Sequence, residues 1–120
     1  MDAALRIEIF PADLDRTVAF YRSLGFELLT RDEGPPPYAY LGLGSVRIGA
    51  IESEPVAPGA RPHPVGTEIV IEVEDVAALR DRFVDAGVVL DTDLQRRPWG
   101  LSDVRLYDPD GHYLRFTDGL

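Results

Sequence analysis

Moved along by 62 residues, the chain lies on itself. Ile7 falls on Ile69, Ile9 on Ile71, Asp13 on Asp75, Tyr21 on Phe83, Gly25 on Gly87 and Leu28 on Leu90. Each match has a mechanical meaning: an apolar strand position, a helix cap, a core aromatic or a helix stop. No other feature constrains the fold as far. A chain of 120 residues that repeats one motif must build two similar small units and bury a core in each.

The motif reads strand, helix, then three strands. In the first copy Leu5 to Phe10 is a β-rich run, and Asp13 after Pro11-Ala12 is a predicted N-cap. Leu14, Val18 and Tyr21 recur at helical spacing, with Phe20 and Leu24 beside them, and Gly25 stands where a helix stops. Phe26 to Thr30, Tyr38 to Leu43 and Val46 to Ile51 read as strands, with a turn at Leu43-Gly44-Ser45. In the second copy Thr67 to Val73 is a strand, Asp75 caps a helix striped by Val76, Leu79 and Phe83, and Gly87 ends it. Val88 to Leu90, Ser102 to Tyr107 and His112 to Thr117 are the further strands. Asp108-Pro109-Asp110-Gly111 makes the turn before the last strand, because Pro suits its second position and Gly accepts positive φ. The expected architecture is α+β: a single domain over 1–120, built of βαβββ modules 1–52 and 67–120. Their link, 53–66, holds four of the ten prolines and is stiff.

Charge and missing residue types remove whole chemistries. The formal net charge of -9 repels phosphate backbones, so no nucleic-acid partner is expected. All 12 basic residues are Arg, which excludes Schiff bases on Lys, and Cys is absent, which excludes disulfides and thiolates. No apolar run reaches the length of a membrane span. Met1-Asp2-Ala3-Ala4 has neither the basic flank nor the apolar stretch of a secretory signal, so no membrane association and a cytoplasmic location are expected. Ser23, Ser45, Ser53 and Ser102 lack a nucleophile-elbow context. His63, between Pro62 and Pro64, and His112, beside the turn glycine, are read as a surface and a hairpin residue rather than zinc ligands.

Asp13-Leu14, Phe20-Tyr21, Leu24-Gly25-Phe26, Asp108-Pro109-Asp110-Gly111 and Tyr113-Leu114-Arg115-Phe116 together resemble the vicinal oxygen chelate superfamily of glyoxalases, extradiol dioxygenases and bleomycin-resistance proteins. Arg97-Pro98-Trp99-Gly100 followed by the last hairpin is most similar to the bleomycin-resistance branch. The resemblance implies paired βαβββ modules whose mixed sheets curl into an open cup, with helices on the outer face. It also implies a homodimer. Metal-using relatives place ligands at positions that here are Arg6, Glu68 and Arg115. Only Glu68 can ligate, because Arg has no free lone pair and stays protonated. Glu52 is the nearest carboxylate to a fourth position. No metal and no cofactor are therefore expected, and an ion-pair bridge among Arg6, Glu68 and Arg115 is expected instead.

Strand alternation assigns the remaining candidates. Arg6, Glu8 and Phe10 share one parity, as do Glu68 and Glu72, then Asp103 and Tyr107, then Tyr113 and Arg115. Trp99, alone of its kind, sits in a rigid Pro-Trp-Gly loop, and Tyr38 and Tyr40 offer a second aromatic wall. Aromatic faces bind planar ligands and cations. Glu8, Glu72, Asp103 and Glu68 are the expected counter-charges. The reading is a metal-free protein that sequesters a cationic or aromatic ligand, such as an antibiotic, with no catalytic residues. Its rival is a metal-dependent enzyme of the glyoxalase or dioxygenase type.

Overall fold

The computed structural model describes residues 1–62 and 66–120. It divides into two compact units, Met1–Val56 and Ala57–Leu120. In the first, β1 (Ile7–Ile9) leads to α1 (Leu14–Ser23) and then to β2 (Glu27–Asp32), β3 (Tyr38–Leu43) and β4 (Val46–Ile51). The second runs β5 (Ile69–Glu72), α2 (Val76–Asp85), β6 (Thr92–Arg96), β7 (Ser102–Tyr107) and β8 (Tyr113–Thr117). The sheet orders match: β1-β4-β3-β2 and β5-β8-β7-β6. In each, the first strand pairs in parallel with the last and the other pairs are antiparallel. Both sheets are mixed and open, as the motif predicts.

The local signals act as written. The Asp13 carboxylate accepts from Arg16 N at 3.1 Å, and that of Asp75 from Ala78 N at 2.9 Å. These bonds satisfy amides that a helix start otherwise leaves unpaired. At the other end Gly25 and Gly87 have φ of 108° and 80°. There Phe26 N bonds Tyr21 O, and Val88 N bonds Phe83 O, closing the same Schellman turn on both helices. Tyr21 and Phe83 are fully buried at matching places. Ile9, Leu41, Ile48 and Ala50 fill the face beneath α1, and Ile71, Val104, Leu106, Leu114 and Phe116 form the apolar face of the second sheet.

One strand departs from expectation. Val88–Leu90 is not a strand; the edge strand β6 begins at Thr92. The Schellman turn holds Val88, and Val89 is 85% exposed. The segment that pairs with β7, Thr92-Asp93-Leu94-Gln95-Arg96, is polar and mostly exposed, so it carries no burial pattern to read. The edge strands β2 and β6 are both irregular: pairing shifts between Leu28 and Thr30, and between Thr92 and Gln95.

Candidate functional site

Register decides which side chains share the face that α1 and α2 leave uncovered. In the first sheet Glu8 lies beside Gly49, which lies beside Tyr40; Tyr38 pairs with Ile51 and Gly42 with Arg47. In the second, Val70 lies beside Arg115, which lies beside Arg105; Asp103 pairs with Thr117 and Tyr107 with Tyr113.

On the first face, Arg6 Nε meets Glu8 Oε1 at 2.9 Å. The Tyr38 hydroxyl donates to the same carboxylate at 3.3 and 3.4 Å. Gly49 makes this possible, because a Cβ there would collide with both the Glu8 carboxylate and the Tyr38 hydroxyl. Partial burial and the neighbouring Glu8 charge push the Tyr38 phenol upward, so it stays protonated and donates. Tyr40 stands on this face, and Phe10 is half-exposed just beyond β1. Glu52 has another employment: its Oε2 accepts from Leu14 N at 3.0 Å, capping α1. An ionised side chain at that helix end also meets the positive end of the macrodipole.

The second face is an ionic network. Asp103 is 1% exposed in its side chain, yet it lies within a strand and meets three guanidiniums. Arg97 Nε donates to its Oδ1 at 3.0 Å. Arg105 donates through Nε to Oδ1 at 3.2 Å and through Nη2 to Oδ2 at 3.1 Å. Arg115 Nη1 is 3.8 Å from Oδ2. Burial pushes the Asp103 carboxyl up, but the bonds from Arg105 and Arg97 outweigh it, and the group sits below the ordinary carboxylate range. Asp103 therefore gathers arginines rather than presenting an open carboxylate. Arg115 Nε also donates to Glu68 Oε1 at 2.5 Å. Of the three positions that the resemblance assigns to metal ligands, Glu68 and Arg115 meet within the second unit, and Arg6 pairs with Glu8 within the first.

Aromatic and acidic candidates complete the picture. Tyr107 and Tyr113 pack edge to face at 4.7 Å, and the Tyr113 hydroxyl donates to Asp91 Oδ2 at 3.0 Å. Glu72 is exposed opposite Thr117. Trp99 is 58% exposed at the tip of the β6–β7 turn. Arg97 N bonds Leu101 O there, Gly100 N bonds Arg97 O, and Gly100 takes φ 97°. His112 is engaged in its hairpin: Nδ1 lies 2.7 Å from Asp108 Oδ2, while Asp108 Oδ1 accepts from the Asp110 and His112 amides. His63 lies outside the described residues.

The sequence placed Asp103 on this face but did not show that Arg105 and Arg97 bind it. Strand parity alone could have suggested the Arg105 bond, since Arg105 follows Asp103 by one alternation. Nothing in the sequence points to Asp91 or to the role of Gly49. The donor set does not fit a catalytic cation. Two of the three positions are guanidiniums, and the third, Glu68, is hydrogen-bonded to one of them. Among the described residues no cluster of three or more His, Cys, Asp or Glu could hold a metal ion.

A family model described as the Glyoxalase/Bleomycin resistance protein/Dioxygenase superfamily matches residues 4–116. Among curated proteins none matches this chain. Among solved structures, TioX from Micromonospora sp. ML1 is 28% identical, with TM-score 0.79 over 99% of this chain and 100% of that one. A bleomycin-binding protein complexed with bleomycin is 25% identical, with TM-score 0.73 over 100% of each. Lactoylglutathione lyase from Agrobacterium tumefaciens, 23% identical with TM-score 0.72 over 99% and 95%, shares the fold.

Proposed function

The chain belongs to the Glyoxalase/Bleomycin resistance protein/Dioxygenase superfamily, and from that premise we propose that it is a metal-free binding protein that sequesters an aromatic, cationic small molecule. One observation carries the reading: Arg115 is bonded to Glu68, the only side chain able to ligate among the three positions that the resemblance assigns to metal ligands, the other two being guanidiniums. A guanidinium repels a divalent cation and cannot be neutralised to accept one.

The similarity to a protein solved with bleomycin supports a ligand of that kind. So does the exposed Trp99 indole, which can stack on a planar ligand or meet a cation for about 0.5–2 kcal/mol. Tyr38 and Tyr40 offer further aromatic surface. Glu8 and Glu72 are the counter-charges, in a chain whose net charge of -9 attracts cations. Within the second unit, Asp103, Tyr107 and Tyr113 support its uncovered face. A homodimer in the cytoplasm completes the proposal, and no helix among the described residues is long and apolar enough to cross a membrane.

The test uses the single Trp. Titration with bleomycin should change Trp99 emission saturably, and Trp99→Phe should weaken binding measured by calorimetry. An unchanged emission and no heat would reject this ligand class. Elemental analysis of the purified protein separates the rival: about one divalent ion per chain, lost together with an activity on chelation, would return the chain to the metal-dependent lyases and dioxygenases.

A further inference from the structure

In the arginine network of the second unit, three guanidiniums share two directly bonded carboxylates among the described residues. Arg105 and Arg115 stand directly opposite each other on β7 and β8. Like charges in that position destabilise a sheet. The two carboxylates that offset them are Asp103, shared with Arg97 and Arg105, and Glu68, held by Arg115. Two carboxylates bond the three guanidiniums directly; Arg105 also bonds the Tyr113 hydroxyl, which donates to a third carboxylate, Asp91. The three arginine side chains are only 16%, 17% and 23% exposed, so water screens their mutual repulsion incompletely. Three guanidiniums bring about fifteen N–H groups, more than the about eight acceptor sites of the two carboxylates and the one hydroxyl take up.

The fold itself does not demand this arrangement. In the first sheet, Tyr40 and Gly49 occupy the register that Arg105 and Arg115 occupy in the second. The same topology forms there with no charge at either position. A like-charge pair, held in place by a buried acid and with donors in excess of the acceptors bonded to it, suits an oxyanion that can accept from two forks at once.

We propose that Arg105 and Arg115, with Arg97 beside them, form a docking site for an oxyanion, the carboxylate or phosphate group of a small ligand. Asp103 acts as a positioning residue that aims the guanidiniums. The site lies within the second unit and does not depend on the aromatic, cationic reading. Were both to hold for one ligand, it would carry an acidic group in addition to its cationic or planar part.

The experiment is a titration of the whole protein with sodium phosphate, sodium acetate and sodium chloride at matched ionic strength, followed by NMR of the arginine Nε–Hε groups. The Arg105 and Arg115 signals should move saturably with phosphate, acetate or both, and not with chloride. Which salt acts identifies the phosphate or the carboxylate as the preferred group. The Arg80 signal, from a surface pair with Asp93, should follow ionic strength alone. Arg105→Lys, which keeps the charge but loses the planar fork, should weaken the saturable response about tenfold. Arg115→Gln should abolish it, and Arg105→Lys serves alone if that variant does not fold. Responses identical in all three salts, or unaltered by Arg105→Lys, overturn the proposal. Bleomycin takes no part in the measurement, so its result is independent of the Trp99 titration.

Discussion

The two units share a backbone plan and differ in what they place on it. Tyr38, Tyr40 and Gly42 on β3 correspond in register to Asp103, Arg105 and Tyr107 on β7. Arg47, Gly49 and Ile51 on β4 correspond to Tyr113, Arg115 and Thr117 on β8. The helix side is the same in kind in both, apolar and tightly buried, with Tyr21 answering Phe83. The opposite side carries Tyr38, Tyr40 and Gly49 with one Arg6–Glu8 pair in one unit, and a network of three arginines beside the Tyr107–Tyr113 pair in the other. Packing beneath the helices therefore fixes the architecture, and the uncovered face is left to vary. The helix starts show the same divergence. Glu52 reaches the first amide of α1, whereas Asp118, at the matching place after β8 and one methylene shorter, accepts from Ser102 N and keeps Oδ1 buried with no partner among the described residues.

The sharpest way to break the comparison is at Asp103. Asp103→Ala strands three arginines around a buried gap and should cost the second unit about 3–5 kcal/mol. Tyr38→Ala, at the matching position, removes a half-buried ring from a pair with Glu8 and should cost about 1 kcal/mol. Denaturant titration with hydrogen exchange resolved by sheet would measure both, and equal losses would refute the contrast.

Acid should separate the units next. The folded carboxyl of Asp103 lies below its ordinary value of 3.8. The stability it contributes is therefore fully present above that value and is lost as pH falls through the lower, folded one. Amide exchange below pH 3.8 should rise first in β7 and β8, and in Asp103→Asn this acid dependence should be absent.

The caps test likeness rather than difference. Asp13→Ala and Asp75→Ala should each cost about 1 kcal/mol by thermal unfolding. Glu52→Ala should cost less, a few tenths to about 1 kcal/mol, and should destabilise α1 alone. The smallest effect is expected at Arg80. Its pair with Asp93 holds that carboxyl down to about 2 but is solvent-exposed, so Arg80→Ala should leave the melting temperature unchanged within error in physiological salt.

Much of the fold was legible because it rests on local signals. Asp13, Asp75, Gly25 and Gly87 act through bonds within a few residues of themselves, and alternation along β5 records burial directly. β6 was misplaced because an exposed edge strand has no apolar alternation to betray it. In the site, Glu68 and Arg115 could be matched by parity and family register, since Glu68 immediately precedes β5, which pairs with β8. The partnership of Arg97 with Asp103 depends on how a tight turn folds back over the sheet, and that of Arg6 with Glu8 on side-chain reach.

By itself the sequence determined the duplicated plan, the helix limits, the apolar side of each sheet and the absence of Lys and Cys chemistry. These follow from residue type and short-range spacing. Only the tertiary structure decided that Asp103 is buried among guanidiniums, that Gly49 lets Tyr38 reach Glu8 and that Glu52 caps a helix. Each of these depends on strand register and through-space distance, which bring together residues far apart along the chain.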